Sequence, residues 1–220
     1  MKFRVRRTVR TLRSLAALAV ERASARRRGK PRVPQRASDG LKLNLGCGDK
    51  HLTGYLNLDA ASSRRRVQPD LCCDLRRLPL ASGCADEILA VHVIEHFYAW
   101  EAPEVLSEWR RVLAPGGRLV LECPNLLHAA WELLADPERA ARPGRDGQRS
   151  MWPLYGDPQW RDPLMCHRWG YTPASLERLL CEAGFVKVRR EPALFKQRDP
   201  RDMRVTGRKP EEPVRCVFAS

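Results

Sequence analysis

From residue 41 onward, short apolar or alternating stretches recur between segments of helical periodicity. Strands are predicted at 41–45, where Leu41, Leu43 and Leu45 alternate with polar residues, and at 55–59, 70–73, 87–93, 117–123, 185–190 and 214–219. Between the fourth and fifth, "APEVLSEWRRVLAPGG" places Val105, Leu106, Trp109, Val112 and Leu113 on one helical face. Pro103 lies near its start and Pro115-Gly116-Gly117 ends it. A second helix follows Thr172-Pro173, buries Leu176, Leu179 and Leu180, and stops at Gly184. This alternation predicts an α/β fold with a doubly wound, seven-stranded, mostly parallel sheet. The last two strands are close in sequence, so the final one is expected to insert antiparallel.

The segment from Pro124 to Tyr171 breaks the rhythm. It holds Trp131, Trp152, Trp160 and Trp169, with Pro153, Pro158 and Pro163 between them. An aromatic-rich insertion after a strand's C-terminal end is where an open sheet builds a ligand pocket. A packed excursion that merely covers the sheet has the same composition.

Charge changes the picture at one end only. Of the formal +14, residues 1–40 contribute 13 Lys/Arg against Glu21 and Asp39, leaving a small excess for residues 41–220. Val5, Val9, Leu12, Leu15 and Leu18 recur at roughly helical spacing among these arginines, the pattern of a basic amphipathic helix on a membrane surface or an anionic polymer. A partly disordered, solvated extension fits equally well. The apolar run Leu15–Val20 is too short to span a bilayer. The expected organisation is a basic tail at 1–40 and a catalytic domain at 41–220, in the cytoplasm or peripheral at its membrane. The eight cysteines show no C-x-x-C pair, and several lie in apolar segments, so buried reduced thiols are expected.

The chemistry is signalled by "LKLNLGCGDKHLTGYLNLDA", residues 41–60. Glycines at 46 and 48 directly after a strand let the main chain approach a ligand. A nicotinamide site is disfavoured: no third glycine stands at the fingerprint position, and Asp59 comes only eleven residues after Gly48. The absence of a following Lys-Ser/Thr counts against a nucleotide triphosphatase. A ligand with a ribose but no phosphate suits the arrangement, with Asp59 accepting from two ribose hydroxyls.

"LNLGCG", Asp59, "CDLRRLPL", "VHVIEHF", "RVLAPGGRLVLECPN" and "HRWGYTPASLERLLCEAGF", in that order, resemble the class I S-adenosylmethionine-dependent methyltransferases over about residues 41–190. They are most similar to small bacterial members found with cell-surface polysaccharide and secondary-metabolite genes. The resemblance implies a Rossmann-like fold with S-adenosyl-L-methionine as cofactor. Asn44, Gly46, Cys47 and Gly48 would line its methionine side, Asp59 its ribose, and Asp74 with Leu75 its adenine. The residues from His92 to His96 would face the transferred methyl, with His92 also counted among the cofactor contacts. His96 is the first candidate for a base, followed by Glu95 and His167. Some members acting on catechol-like or RNA-terminal hydroxyls hold a divalent metal with E-x-x-E-H. This chain has His92 where the first glutamate stands, so no metal is expected, although His167 would be the natural additional ligand. The expected acceptor is a small molecule or a glycan-type hydroxyl. Two alternatives stay open: an RNA methyltransferase using the basic tail as a phosphate-binding arm, and a non-catalytic cofactor-binding scaffold at a membrane.

Overall fold

A computed structural model describes residues 40–142, 149–195 and 199–211. Seven strands form one sheet: β1 (Lys42–Leu45), β2 (Leu56–Asp59), β3 (Leu71–Cys72), β4 (Ala85–Val91), β5 (Leu113–Pro124), β6 (Val186–Glu191) and β7 (Asp202–Arg208). Their spatial order is β3-β2-β1-β4-β5-β7-β6. The first five strands run parallel, and β7 is antiparallel to both β5 and β6. The architecture is thus the expected mostly parallel Rossmann-like sheet with an antiparallel end.

Helix α1 (Ala102–Val112) buries Val105, Leu106, Trp109 and Val112, the apolar stripe of its sequence. Trp109 is fully buried and donates its indole N–H to the Leu75 carbonyl at 2.9 Å, which ties α1 to the loop after β3. Removing that side chain would cost about 3–5 kcal/mol. Between β5 and β6 come α2 (Leu126–Ala135), α3 (Pro137–Ala141), α4 (Trp152–Tyr155), two 3-10 turns at Pro158–Trp160 and Pro163–Met165, and α5 (Pro173–Glu182). Helix α5 starts with a capping box between Thr172 and Ser175 and buries Leu176 and Leu180.

Two features depart from the sequence reading. The seventh strand expected at 214–219 lies outside the described residues; β7 occupies 202–208 instead. Its signal is masked because both faces are covered. Met203 and Val205 enter the core, while Arg204 and Thr206, also buried, meet Glu122 and Glu191 on the other face. Secondly, the links β1–β2, β2–β3 and β3–β4 are turns and loops without a helix among the described residues, so the helical layers are thin on that half of the sheet.

Candidate active site

At the C-terminal ends of β1, β2 and β4 lies a cavity of about 370 Å³, within the size range of small-ligand clefts. Its floor is the glycine turn. Cys47 N–H donates to the Leu58 carbonyl at 3.0 Å, and Lys50 N–H to the Cys47 carbonyl at 2.8 Å, so the loop folds back over β2. The Asn44 carboxamide braces it from below, donating to the Lys50 carbonyl and to Asn57 Oδ1. Gly46 and Gly48 both have positive φ, at +66° and +57°, for different reasons. A Cβ on Gly46 would sit 2.4 Å from the Val93 side chain, whereas one on Gly48 would meet nothing within 4 Å. Gly46 therefore allows β1 and the β4 turn to pack, and Gly48 leaves room for a ligand against bare backbone.

Asp59, 6 % exposed at the end of β2, lines the cavity. Its carboxylate accepts from Gly48 N–H and Ala61 N–H, both at 2.8 Å, which holds the turn while leaving each oxygen a second lone pair. The Arg64 Nε lies 3.8 Å away. Arg64 also donates to Asp162 at 2.8 Å, and the guanidiniums of Arg64 and Arg65 lie over the Trp160 ring. The insertion after β5 is thereby pinned across the Asp59 side of the cavity. Asp74 and Leu75 line the far end. Burial pushes the Asp74 carboxyl up, but its bonds to Arg76 outweigh this and hold it below the usual carboxylate range. Cys47 is buried under the loop. Burial first, then the charges of Asp59 and Asp70, push its thiol up to about 12.

β4 ends at Val91, two residues earlier than expected. His92 leaves the strand at φ +55°, and a 3-10 turn, Ile94–His96, follows. This change of direction brings together side chains that a strand continuing through Val93 would separate. His92 Nε2 lies 2.6 Å from Asp202 Oδ2 of β7, and its Nδ1 lies 3.2 Å from Glu95 Oε1. His167, from the insertion, places Nε2 3.8 Å from the same oxygen and packs its ring edge-on to His96. The insertion is held there by main chain: Arg168 N–H and Trp169 N–H both donate to the Glu95 carbonyl.

His96 lines the cavity, and its Nδ1 lies 3.1 Å from the Cys166 carbonyl. A carbonyl only accepts, so Nδ1 carries the proton and Nε2 keeps its lone pair. Burial holds the imidazolium of His96 below its ordinary range, partly opposed by the Glu95 charge. Glu95 itself is 2 % exposed and lies behind the cavity wall. Burial pushes its carboxyl up, but the nearby His92, His96 and His167 outweigh that and bring it to about 2. It is a fixed anion, poorly suited to remove a proton near neutral pH.

All eight residues expected at the cofactor line the cavity: Asn44, Gly46, Cys47, Gly48, Asp59, Asp74, Leu75 and His92. Of the three base candidates His96 does, while Glu95 and His167 stand behind it. Sequence reasoning missed Arg64, Trp160 and Phe195 as wall residues, and Asp202 as the partner of His92. Phe195 is placed by Glu122, which accepts from the Leu194 and Phe195 amides and pairs with Arg204. Of the four insertion tryptophans only Trp160 reaches the cavity; Trp131 and Trp169 are 63 % and 50 % exposed. The expectation of buried thiols holds for Cys47 and Cys123 but not for Cys72, Cys166 and Cys181, which are exposed. The basic tail falls outside the described residues, and among those described no helix is long and apolar enough to cross a membrane.

A ribosylated, phosphate-free ligand fits these residues. Gly48 leaves open backbone where a Cβ would intrude, Asp59 has lone pairs to spare, and Leu75 with Phe97 offers an apolar wall. Residues 43–121 match the family model of a methyltransferase domain. No curated protein matches the chain. Among solved structures, a SAM-dependent methyltransferase from Archaeoglobus fulgidus aligns with a TM-score of 0.53 at 15% identity, over 90% of this chain and 94% of that one. A SAM-dependent methyltransferase from Thermotoga maritima, described as a possible histamine N-methyltransferase, aligns at 0.52 and 15% identity, over 79% and 84%. The 1,6-didemethyltoxoflavin-N1-methyltransferase of Burkholderia thailandensis, solved with its substrate and S-adenosylhomocysteine, aligns at 0.50 and 16% identity, over 78% and 71%. At these identities the likeness establishes the fold.

Proposed function

We propose that this chain, a class I S-adenosylmethionine-dependent methyltransferase, methylates a hydroxyl on a small-molecule or glycan-type acceptor held between the β4 turn and the insertion. The observation that carries this reading is the shared cavity. Its floor is the glycine turn with Asp59, and its opposite wall is His92 and His96 with Trp160, Leu164, Met165 and Arg168. What the cofactor supplies when bound is a methyl group already activated by its sulfonium, so the protein's task is alignment and, for a hydroxyl, disposal of one proton. In this reading Gly46, Cys47 and Gly48 present backbone to the methionine portion, Asp59 accepts from the ribose hydroxyls, and Asp74 with Leu75 borders the adenine.

His96 is the proposed base, because its Nδ1–H is committed to the Cys166 carbonyl and Nε2 is left to accept the acceptor's proton. Trp160 offers an aromatic face of the kind that packs on a sugar or phenol ring. The excess positive charge lies in residues 1–40, so phosphate-rich RNA is the less favoured acceptor, and the tail is assigned to peripheral contact with anionic membrane. A screen of the full chain with labelled cofactor tests the reading against nucleotide sugars, glycan fragments, small phenols, amines and RNA. Transfer to hydroxyl acceptors is expected; transfer confined to amines or to RNA would overturn it. Deleting residues 1–36 should leave cofactor affinity unchanged and reduce attachment to anionic vesicles; loss of cofactor binding would show that the domain begins earlier.

A further inference from the structure

Helix α2 (Leu126–Ala135) is amphipathic the wrong way round. In α1 the apolar stripe faces the core, the usual arrangement at the surface of a globular protein. In α2 the only fully buried residue is Ala129, while Leu127, Trp131 and Leu134 are 60 %, 63 % and 84 % exposed. Ala130 and Ala135 are exposed beside them. These five positions recur at i, i+3, i+4, i+7 and i+8, so they form one continuous apolar face turned away from the protein.

The polar side chains point the other way. His128 Nε2 lies 3.7 Å from Glu132 Oε1, and Glu132 Oε2 lies 3.8 Å from the Arg201 guanidinium just before β7. The start of the helix is fixed as well. Asn125 accepts from Leu127 N–H and donates to the Pro200 carbonyl, and Leu126 N–H donates to the Tyr171 carbonyl. The apolar face is therefore held outward by a defined set of contacts. A lone exposed leucine needs no explanation, but a whole apolar helix face marks a surface that something covers.

Size and charge decide what covers it. A helix of 10 residues presents a face of about 15 Å by 10 Å, far short of the roughly 800 Å² that each partner gives to a stable protein interface. A lipid surface sets no such requirement. There a helix lies in the interface plane with its apolar side sunk about 5–10 Å, and tryptophan is favoured at headgroup level. Three large side chains bind only marginally by themselves, and stable attachment takes a second signal. The charges next to α2 do not supply it, because Asp136 and Glu138 offset Arg139 and Arg142. Residues 1–40 do, with 13 Lys/Arg against Glu21 and Asp39, complementary to anionic headgroups.

We propose that the exposed face of α2 docks on an anionic lipid bilayer, with Leu127, Trp131 and Leu134 inserted at the headgroup boundary. The helix belongs to the same insertion as Trp160, Leu164 and Met165, so docking would bring that wall of the cavity to the lipid. The proposal rests on the membrane reading of the tail for its second signal; the apolar contact is α2's own.

The test uses the full-length protein and vesicles of phosphatidylcholine with about one third phosphatidylglycerol, at about 0.1 M and 0.3 M salt. Wild type is expected to co-sediment, and lipid brominated near the headgroup end of its chains should quench Trp131. Trp131→Phe should bind nearly as wild type yet lose that share of the quenching, which isolates Trp131 from the other tryptophans. Trp131→Ser and Leu134→Ser remove apolar surface without adding charge, and each should weaken vesicle binding roughly ten- to hundred-fold. S-adenosylmethionine affinity should stay unchanged in all variants, which reports that they are folded; if a serine variant does not fold, the quenching difference between wild type and Trp131→Phe decides. Salt separates the two signals. Attachment that is insensitive to salt while Trp131 is quenched would remove the tail's role and keep this proposal. Salt-sensitive attachment with Trp131 unquenched, and with both serine variants binding like wild type, would keep the tail's role and overturn it. Failure of wild type to attach would also overturn it, as would a dimer in sedimentation velocity that both serine variants dissociate, since a second copy would then cover the face.

Discussion

Asp59 performs two tasks that one substitution can separate. Its carboxylate accepts the Gly48 and Ala61 amides at 2.8 Å in a place that is 6 % exposed, and it borders the cavity where the ribose is proposed to lie. In Asp59→Ala each amide loses an ionised acceptor, at a cost of about 1–3 kcal/mol per unsatisfied group. This loss should appear in urea unfolding of the ligand-free protein. The lost ribose contact is a separate term of about 1.5–3 kcal/mol, which weakens S-adenosylmethionine binding roughly ten- to hundred-fold. Calorimetry below the unfolding transition measures it on folded molecules only. If stability falls by the expected amount while the folded variant binds with wild-type affinity, Asp59 is a clamp on the turn and the ribose contact lies elsewhere. If neither changes, the carboxylate's hydrogen bonds contribute nothing net, and the account of the turn is wrong.

The two glycines should respond in opposite ways. Gly46→Ala forces a Cβ to within 2.4 Å of Val93 and should lower the melting temperature strongly, whereas Gly48→Ala meets no atom, should cost about 1 kcal/mol for its positive φ, and should act mainly on cofactor affinity. Equal destabilisation by both would remove the distinction between packing and ligand space. His96→Ala should lower turnover by about 10²–10⁴ with cofactor affinity within a few-fold; turnover near wild type would mean that alignment alone suffices. Cys47, with its thiol pushed up to about 12 by burial, should react with iodoacetamide at pH 8 roughly a thousand-fold more slowly than an exposed, unperturbed thiol. Its rate should still climb about tenfold per pH unit between pH 8 and 10. Rapid labelling of Cys47 at pH 8, followed by mass spectrometry, would contradict the burial described for the turn.

The fold was legible wherever a segment shows one face to the core. Leu43 and Leu45 of β1, and the Val105, Leu106, Trp109, Val112 stripe of α1, announce themselves by period alone. β7 does not, because Arg204 and Thr206 are as buried as Met203 and Val205; their partners, Glu122 and Glu191, come from other strands. The glycine-turn side of the cavity was readable for a related reason: Gly46 and Gly48 follow β1 and Asp59 ends β2, close in sequence and joined by the Gly48–Asp59 hydrogen bond. The rest of the cavity wall is assembled across the chain. Arg64 meets Asp162 from 98 residues away, and His92 meets Glu95 only because the backbone turns sharply at a non-glycine residue, which no periodicity encodes.

The partnership of His92 with Asp202 spans 110 residues and depends on β7, which enters the sheet between β5 and a strand that precedes it in the chain. During synthesis, β1 to β5 can pair in order as they emerge from the ribosome, and the glycine turn can form with them. His92 cannot be oriented until β7 has slotted in beside β5. A nascent chain that has released α5 and β6 would therefore hold the glycine turn with Asp59 before His92 has met its Asp202 partner. The same timing leaves the long edge of β5 open until late, and that edge is where a stalled chain would be drawn into pairing with a neighbour.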